Sequence, residues 1–256
     1  MKRSERALLS IIIPVKKDLN GLQQTLEILF RLNEQSSELE LIVIDGGGCE
    51  QTASFLLQNQ HRIQHIRSSA DAGIYQAMNY GKGCATGRWV WFCGAGDLPN
   101  EATWEATLID MKTWQQDRLH ILGVELGAER EAGVPEHYPP RWDDSLIWRN
   151  TTHHQGVIYP LSVIQATDFD PNFSVLADYA MHLHFWVSGI QVVLHEDTWS
   201  FIKSGGASRR FGLSLYWQEW RLKRGRIRGW QLFAQPFWLL IKFGFKKTRI
   251  SRSGAA

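Results

Sequence analysis

LLSIIIPV, residues 8–15, is a run of eight residues broken by a single polar side chain, Ser10. A continuous apolar, β-branched run of this length fits a strand buried on both faces. Working outward, Leu19, Leu22, Leu26 and Leu29 fall on one face of a helix that follows Asp18. Residues 39–45 (LELIVID) read as a second buried strand closed by Gly46-Gly47-Gly48, with a helix expected over 51–60 and a short strand near 61–67. A helix over 73–85, a strand at 88–93 (RWVWFC) and a helix over 101–116 continue the alternation. Strand, helix, strand, helix predicts an α/β fold, a wound, mostly parallel sheet with helices on its faces. Residues 127–150 read as a long surface excursion, followed by order at Gly156–Pro160, a helix from Asp178 to Val187 and a strand at 190–195.

Composition narrows the function. A chain of 256 residues with 44% hydrophobic content can bury a core without disulfides. Its three cysteines, Cys49, Cys84 and Cys93, are too few and too scattered for a metal cluster or a disulfide framework, and point to a reducing compartment. The basic start before the first apolar run is read as the approach to a strand and not an export signal, because Pro14 and Lys16 interrupt it early. The net charge of +2 hides a split: residues 201–256 carry 13 Lys and Arg and one acid, Glu219, while the first 200 residues are acidic. Such a tail is expected to meet a polyanion, a membrane surface or a nucleic acid.

Ligands of wound sheets bind beyond the carboxyl ends of the strands. Three features sit there: Pro14-Val15-Lys16-Lys17, Asp45-Gly46-Gly47-Gly48 and Gly94-Ala95-Gly96-Asp97. Glycines let a backbone approach a ligand, and a carboxylate beside them can accept from a base or ribose or ligate a hard cation between phosphates. The plainer reading is that Asp45 and Asp97 cap the turns that follow the strands. Asp178, before Tyr179-Ala180-Met181, has the position of a helix N-cap as well as that of a site residue. His182 and His184, two apart on a helix, make a poor metal pair.

These segments together resemble the family 2 glycosyltransferases of the GT-A fold, in particular the bacterial branch that builds exopolysaccharide, colanic acid and capsule. The resemblance is carried by Ser10–Pro14 (SIIIP), Asp45–Thr52 (DGGGCEQT), Asp71–Gly81 (DAGIYQAMNYG) and Ala85–Asp97 (ATGRWVWFCGAGD). It continues through His154-Gln155, Phe169-Asp170-Pro171 and Ala177-Asp178-Tyr179 to the Gly205-Gly206-Ala207-Ser208 loop, covering residues 8–208 in order. It implies a GT-A domain over residues 1–208 and an inverting transfer of sugar from a nucleotide-sugar donor to a glycan hydroxyl. Asp178 would be the base, and Asp97 would bind Mg²⁺ or Mn²⁺ at the donor diphosphate. Pro14, Val15, Lys17, Asp45, Asp71, Gly73, Asn79, Ala95 and Gly96 would line the nucleotide-sugar pocket, with Asp45 on the base. His154, Gln155, Gly205 and Gly206 would lie near the acceptor or the diphosphate. The chain departs from the pattern at Gly94-Ala95, where the family carries Asn-Ser, at Cys49-Glu50-Gln51, and at Gln76, where Asp is common.

Residues 209–256 read as a helical, basic and aromatic extension, with Trp217, Trp220, Trp230, Phe233, Phe237 and Trp238 among the cations. That pattern suits a helix lying on anionic lipid, and no nucleic-acid-binding module is recognisable. The expectation is an enzyme of the cytoplasm, peripheral on the inner face of the cell membrane, acting on a lipid-linked glycan acceptor. Two alternatives stay open at this point: a non-catalytic nucleotide-sugar or glycan scaffold, and a sugar-nucleotide pyrophosphorylase. The second would want a glycine-rich, basic signature after the first strand, which Pro14-Val15-Lys16-Lys17 lacks.

Overall fold

The computed structural model describes residues 6–70, 73–127, 135–203 and 213–253. Four strands, β1 (Leu9–Val15), β2 (Leu39–Asp45), β3 (His65–Ser68) and β4 (Trp89–Phe92), lie parallel in the order β3-β2-β1-β4. Helices α1 (Leu19–Ser36), α2 (Glu50–Gln58) and α3 (Ile74–Cys84) make the crossovers. Alternate residues of the first two strands go to opposite faces, as the pleat requires. Ile11, Ile13, Leu41 and Val43 pack with Leu22, Leu26 and Leu29 of α1, while Ile12, Ile42 and Ile44 pack with Ala77 and Met78 of α3. Two apolar layers on one sheet give the three-layer architecture and explain why β1 and β2 read as unbroken apolar runs.

Beyond β4 the sheet changes direction. Next come β5 (Leu98–Pro99), α4 (Glu101–Met111), β6 (Arg118–Leu126) and β7 (His137–Tyr138), then β8 (Val157–Pro160), α5 (Leu161–Gln165), α6 (Ala177–Ser188) and β9 (Gln191–Ile202). β8 runs antiparallel to both β4 and β6, β9 runs parallel to β6, and β5 and β7 add short antiparallel pairs. The sequence expectation missed β6, ended β9 too early and carried α4 five residues too far. The slip over β6 and β9 has a cause: their register shifts at Gly123, so neither shows one clean alternation.

At the closed end of the sheet, Glu40 accepts from Ser10, from the Thr86 hydroxyl and N–H (both 2.8 Å) and from the Gly87 N–H (3.3 Å). This buried carboxylate joins β1, β2 and the entry to β4, with both oxygens hydrogen-bonded.

The C-terminal segment folds as α7 (Leu213–Arg224) and α8 (Trp230–Ser253). Pro236 lies inside α8, and the helix runs through it. The neighbouring Gln235 and Trp238 side chains bond to the Ile147 and Trp148 carbonyls and hold the helix where the proline removes a main-chain bond. Leu222 and Ile227 belong to the same apolar layer as α3. Lys223, fully buried, bonds to Glu219 (2.7 Å), Trp148 O (2.8 Å) and Gln235 (2.9 Å). The extension is therefore bolted to the body through residues 147 and 148.

Candidate active site

The loop after β4 closes tightly. Asp97 N–H bonds back to Gly94 O (3.0 Å), and Gly96 takes a φ of 93°, a value that favours glycine. Thr25 of α1 pins this loop, its hydroxyl donating to Asp97 O (2.8 Å) and accepting from Gly96 N–H (2.9 Å). The Asp97 carboxylate, 4% exposed, accepts from Gly94 N–H (3.0 Å), Lys203 N–H (2.9 Å) and the Gln155 amide (3.4 Å). Burial pushes its pKa up against those donors. Gly94 makes this geometry possible: a Cβ there would lie 2.7 Å from Asp97 Oδ2. The departure from the family's Asn at this position thus lets the carboxylate fold back on the loop.

Gln155 lies in a 3-10 turn, His154–Gly156. Its carbonyl is held by Trp91 Nε1 (2.8 Å) and Ser200 Oγ (3.1 Å), which fixes the turn between β4 and β9. Its buried side-chain Oε1 has no partner among the described residues. A hard oxygen without a donor, beside a buried carboxylate, fits a hard cation that takes its remaining ligands from phosphates and water. Among the described residues no group of three or more His, Cys, Asp or Glu could hold a metal by itself, so the donor set suits a cation shared with a substrate.

The preceding residue addresses the second carboxylate. His154 Nδ1 lies 3.4 Å from Asp178 Oδ2. Tyr75 donates to Asp178 Oδ1 (3.2 Å) and to Val175 O (2.7 Å), and Asn150 Nδ2 approaches Oδ2 at 3.5 Å. Burial pushes the Asp178 carboxyl up, but the hydrogen bond and charge of His154 outweigh it and leave the pKa at about 2. Asp178 stands in the first turn of α6 and not at its N-cap, which is Leu176, so its carboxylate is not spent on capping. That position still favours a negative charge. His182, by contrast, is buried against Tyr159 OH (2.7 Å), and burial lowers it to about 4.

The other expected positions separate. Pro14 and Val15 end β1, with Val15 in register with Asp45. Asp45 is 1% exposed and accepts from Gly47 N–H (3.0 Å) and Ser68 Oγ (2.6 Å), which is the turn-capping arrangement. Lys17 has a φ of 56°, rare for a side-chain-bearing residue, and lies against Gly48. Asn79 exchanges two bonds with the Phe169 main chain (2.7 and 2.9 Å), so its amide braces α3 against that loop and is not turned to the pocket. Ala95 packs partly buried on the α1 side of the core, and Gly73 opens α3 with a φ of 138°. Asp71, Gly205 and Gly206 lie outside the described residues. Sequence reasoning did not single out Thr25, Tyr75, Asn150, Asp18 or Lys203. Tyr75 was within the most specific motif, whereas Asn150 and Lys203 carry no local signal.

Residues 10–118 match the family model described as Glycosyl transferase family 2. PGL/p-HBAD biosynthesis glycosyltransferases of Mycobacterium tuberculosis and Mycobacterium bovis are 35% identical over 226 residues, spanning 78% of this chain and 79% of theirs. Among solved structures, S. aureus TarS 1-349 in complex with UDP-GlcNAc superposes with a TM-score of 0.65 at 14% identity. It covers 84% of this chain, which in turn spans 65% of that one, just under two thirds. Mannosyltransferase PcManGT from Pyrobaculum calidifontis, in complex with GDP-Man and Mn²⁺, gives 0.58 at 11% identity, covering 99% of this chain and 76% of that one. These likenesses carry the GT-A fold.

Proposed function

The chain belongs to family 2 of the glycosyltransferases, and from that premise we propose that it moves a sugar, with inversion, from a nucleotide-sugar donor to a hydroxyl of a lipid-linked bacterial surface glycan. The observation that carries this reading is the His154–Gln155 pair, which sets one side chain on Asp178 and the next on Asp97. One carboxylate serves the acceptor and the other the diphosphate, within reach of a single turn.

Asp97 and Gln155 Oε1 would hold Mg²⁺ or Mn²⁺, which supplies neutralisation of charge on the departing nucleoside diphosphate. Asp178, held ionised by His154, accepts the acceptor proton. A carboxylate with a pKa of about 2 is a weak base, so the proton moves as the acceptor oxygen bonds to the anomeric carbon and the bond to the diphosphate breaks. Tyr75 and Asn150 keep the carboxylate aimed. A single displacement inverts the anomeric centre and needs no covalent enzyme intermediate.

The test is transfer from UDP- and GDP-sugars in the presence of Mn²⁺, read as nucleoside diphosphate released and sugar gained. Asp178→Asn should lower transfer by about a thousandfold while nucleotide still binds. Normal transfer by that variant would remove Asp178 from the base role.

α8 supports the lipid-linked acceptor. Trp230, Phe233, Phe237, Leu240 and Ile241 recur at helical spacing and are 49–78% exposed, while Gln235 and Leu239 between them are buried. Arg221, Arg224 and Arg228 are exposed nearby. An apolar stripe with cations beside it suits the surface of an anionic bilayer, and no helix among the described residues is long and apolar enough to cross one.

A further inference from the structure

One ion pair joins the Asp97 loop to the start of α1. Lys203 is the residue whose N–H bonds to Asp97 Oδ1 (2.9 Å), so its backbone is fixed at the diphosphate end of the site. From there its side chain lies flat across Gly96: a Cβ on Gly96 would come within 2.3 Å of Lys203 Cδ. The loop therefore has room for the lysine methylenes only because residue 96 has no side chain. The ammonium ends 2.8 Å from Oδ2 of Asp18. Asp18 is also the N-cap of α1, where its other oxygen, Oδ1, accepts from Gly21 N–H at 3.0 Å. The two side chains of the ion pair are 42% and 36% exposed, so water screens their attraction and the pair is weak. Such a pair is readily traded for a stronger anion.

We propose that Asp18 is a resident stand-in for the donor: when the nucleotide sugar binds, Lys203 Nζ leaves the Asp18 carboxylate for the diphosphate oxygens. The proposal rests on Asp97 marking the diphosphate end of the site. A diphosphate carries more charge than one carboxylate, and the buried Asp97 beside it adds another negative charge, so the site needs a cation from the protein as well as a metal. Lys203 is tethered at its own N–H, which means the exchange needs only side-chain rotation about a fixed backbone. Asp18 then acts against the donor twice. It holds the lysine in the empty enzyme and it repels phosphate once the lysine has left.

The exchange is testable as a double-mutant cycle on the full chain, with Kd measured by calorimetry for UDP and for GDP in the presence of Mn²⁺. Lys203→Met keeps the aliphatic stem over Gly96 and removes the charge. Asp18→Asn keeps a side chain that caps α1 well. Lys203→Met should weaken nucleotide diphosphate binding by about tenfold, the size of a charge-assisted contact. Asp18→Asn should tighten it in either background by relieving repulsion, but by about threefold more when Lys203 is present, the weight of the lost ion pair. Equal tightening in both backgrounds, or unchanged affinity in Lys203→Met, overturns the exchange. Failure of the wild-type chain to bind either nucleotide with Mn²⁺ removes the glycosyl-transfer reading instead, and the exchange with it.

Discussion

His154 Nδ1 stands 3.4 Å from Asp178 Oδ2, and that contact offsets the burial that would otherwise raise the carboxyl. The histidine comes from a turn whose Gln155 carbonyl is held by both Trp91 and Ser200. A rigid turn thus sets the charge state of a side chain on α6.

Replacing His154 should therefore show in the pH profile. In the wild type Asp178 stays ionised until the pH nears 2, so no acid limb from this group falls in the working range. His154→Ala removes the main group that opposes burial and should move an acid limb of kcat/KM to higher pH, measured on a soluble acceptor. The sign for stability is the same. A depressed carboxyl contributes above its unfolded value of about 4 and loses that contribution as the pH falls toward the folded value. His154→Ala should flatten the acid side of the unfolding curve.

Gly94→Ala tests the metal loop. Its methyl would meet Asp97 Oδ2 at 2.7 Å, and the carboxylate must swing away because Gly94 itself is held between β4 and the turn. The expected result is a Mn²⁺ requirement raised by about 10–100-fold, the usual scale for disturbing a ligand's support. Unchanged Mn²⁺ dependence would detach Asp97 from metal binding.

Lys223→Met should be felt in stability and not in chemistry. It breaks a buried ion pair with Glu219 and frees the Trp148 and Gln235 acceptors. Lys242 still faces Glu219 at 2.7 Å, so the loss should be about 3 kcal/mol, the low end for a broken buried pair, seen as a lower denaturant midpoint. Burial lowers Lys223 to about 8, against about 10.4 in an unfolded chain. The unfolded state binds more protons between those values, so this group's contribution rises with pH from about 8 to 10.

Phe233→Glu with Phe237→Glu probes the exposed stripe. Both side chains are 70% or more exposed, so folding should be kept. Partition onto phosphatidylglycerol vesicles at low salt should fall by at least about tenfold, consistent with losing two large apolar anchors, while turnover of a soluble acceptor stays near wild type. Point changes are the right tool because Leu222, Lys223 and Ile227 are buried, and removing α7 and α8 would open the core.

The sequence was most legible where burial is two-sided. Residues 8–15 and 39–45 announced themselves because every residue is buried and most side chains meet an apolar layer. The loop that carries Asp97 was legible for the same reason, since it follows a run of that kind in β4. β6 was not, because its ladder slips at Gly123 and its pairing partner lies about 75 residues on. Asn79 lies inside the most telling motif, yet its amide is used on the Phe169 main chain, a contact 90 residues away that no local pattern encodes. Asn150 and Lys203 reach the site through long-range geometry alone.

Trp148 O accepts from both Lys223 and Trp238, and two residues later Asn150 approaches Asp178. Local openings follow such shared attachments. Any fluctuation that lifts α8 must free the Trp148 carbonyl and slacken the stretch that carries Asn150 and the His154 turn. Amide hydrogens of residues 146–156 and of α7 and α8 should therefore exchange with solvent as one cooperative unit, and the chain's last helix and the turn that carries His154 should lose protection together.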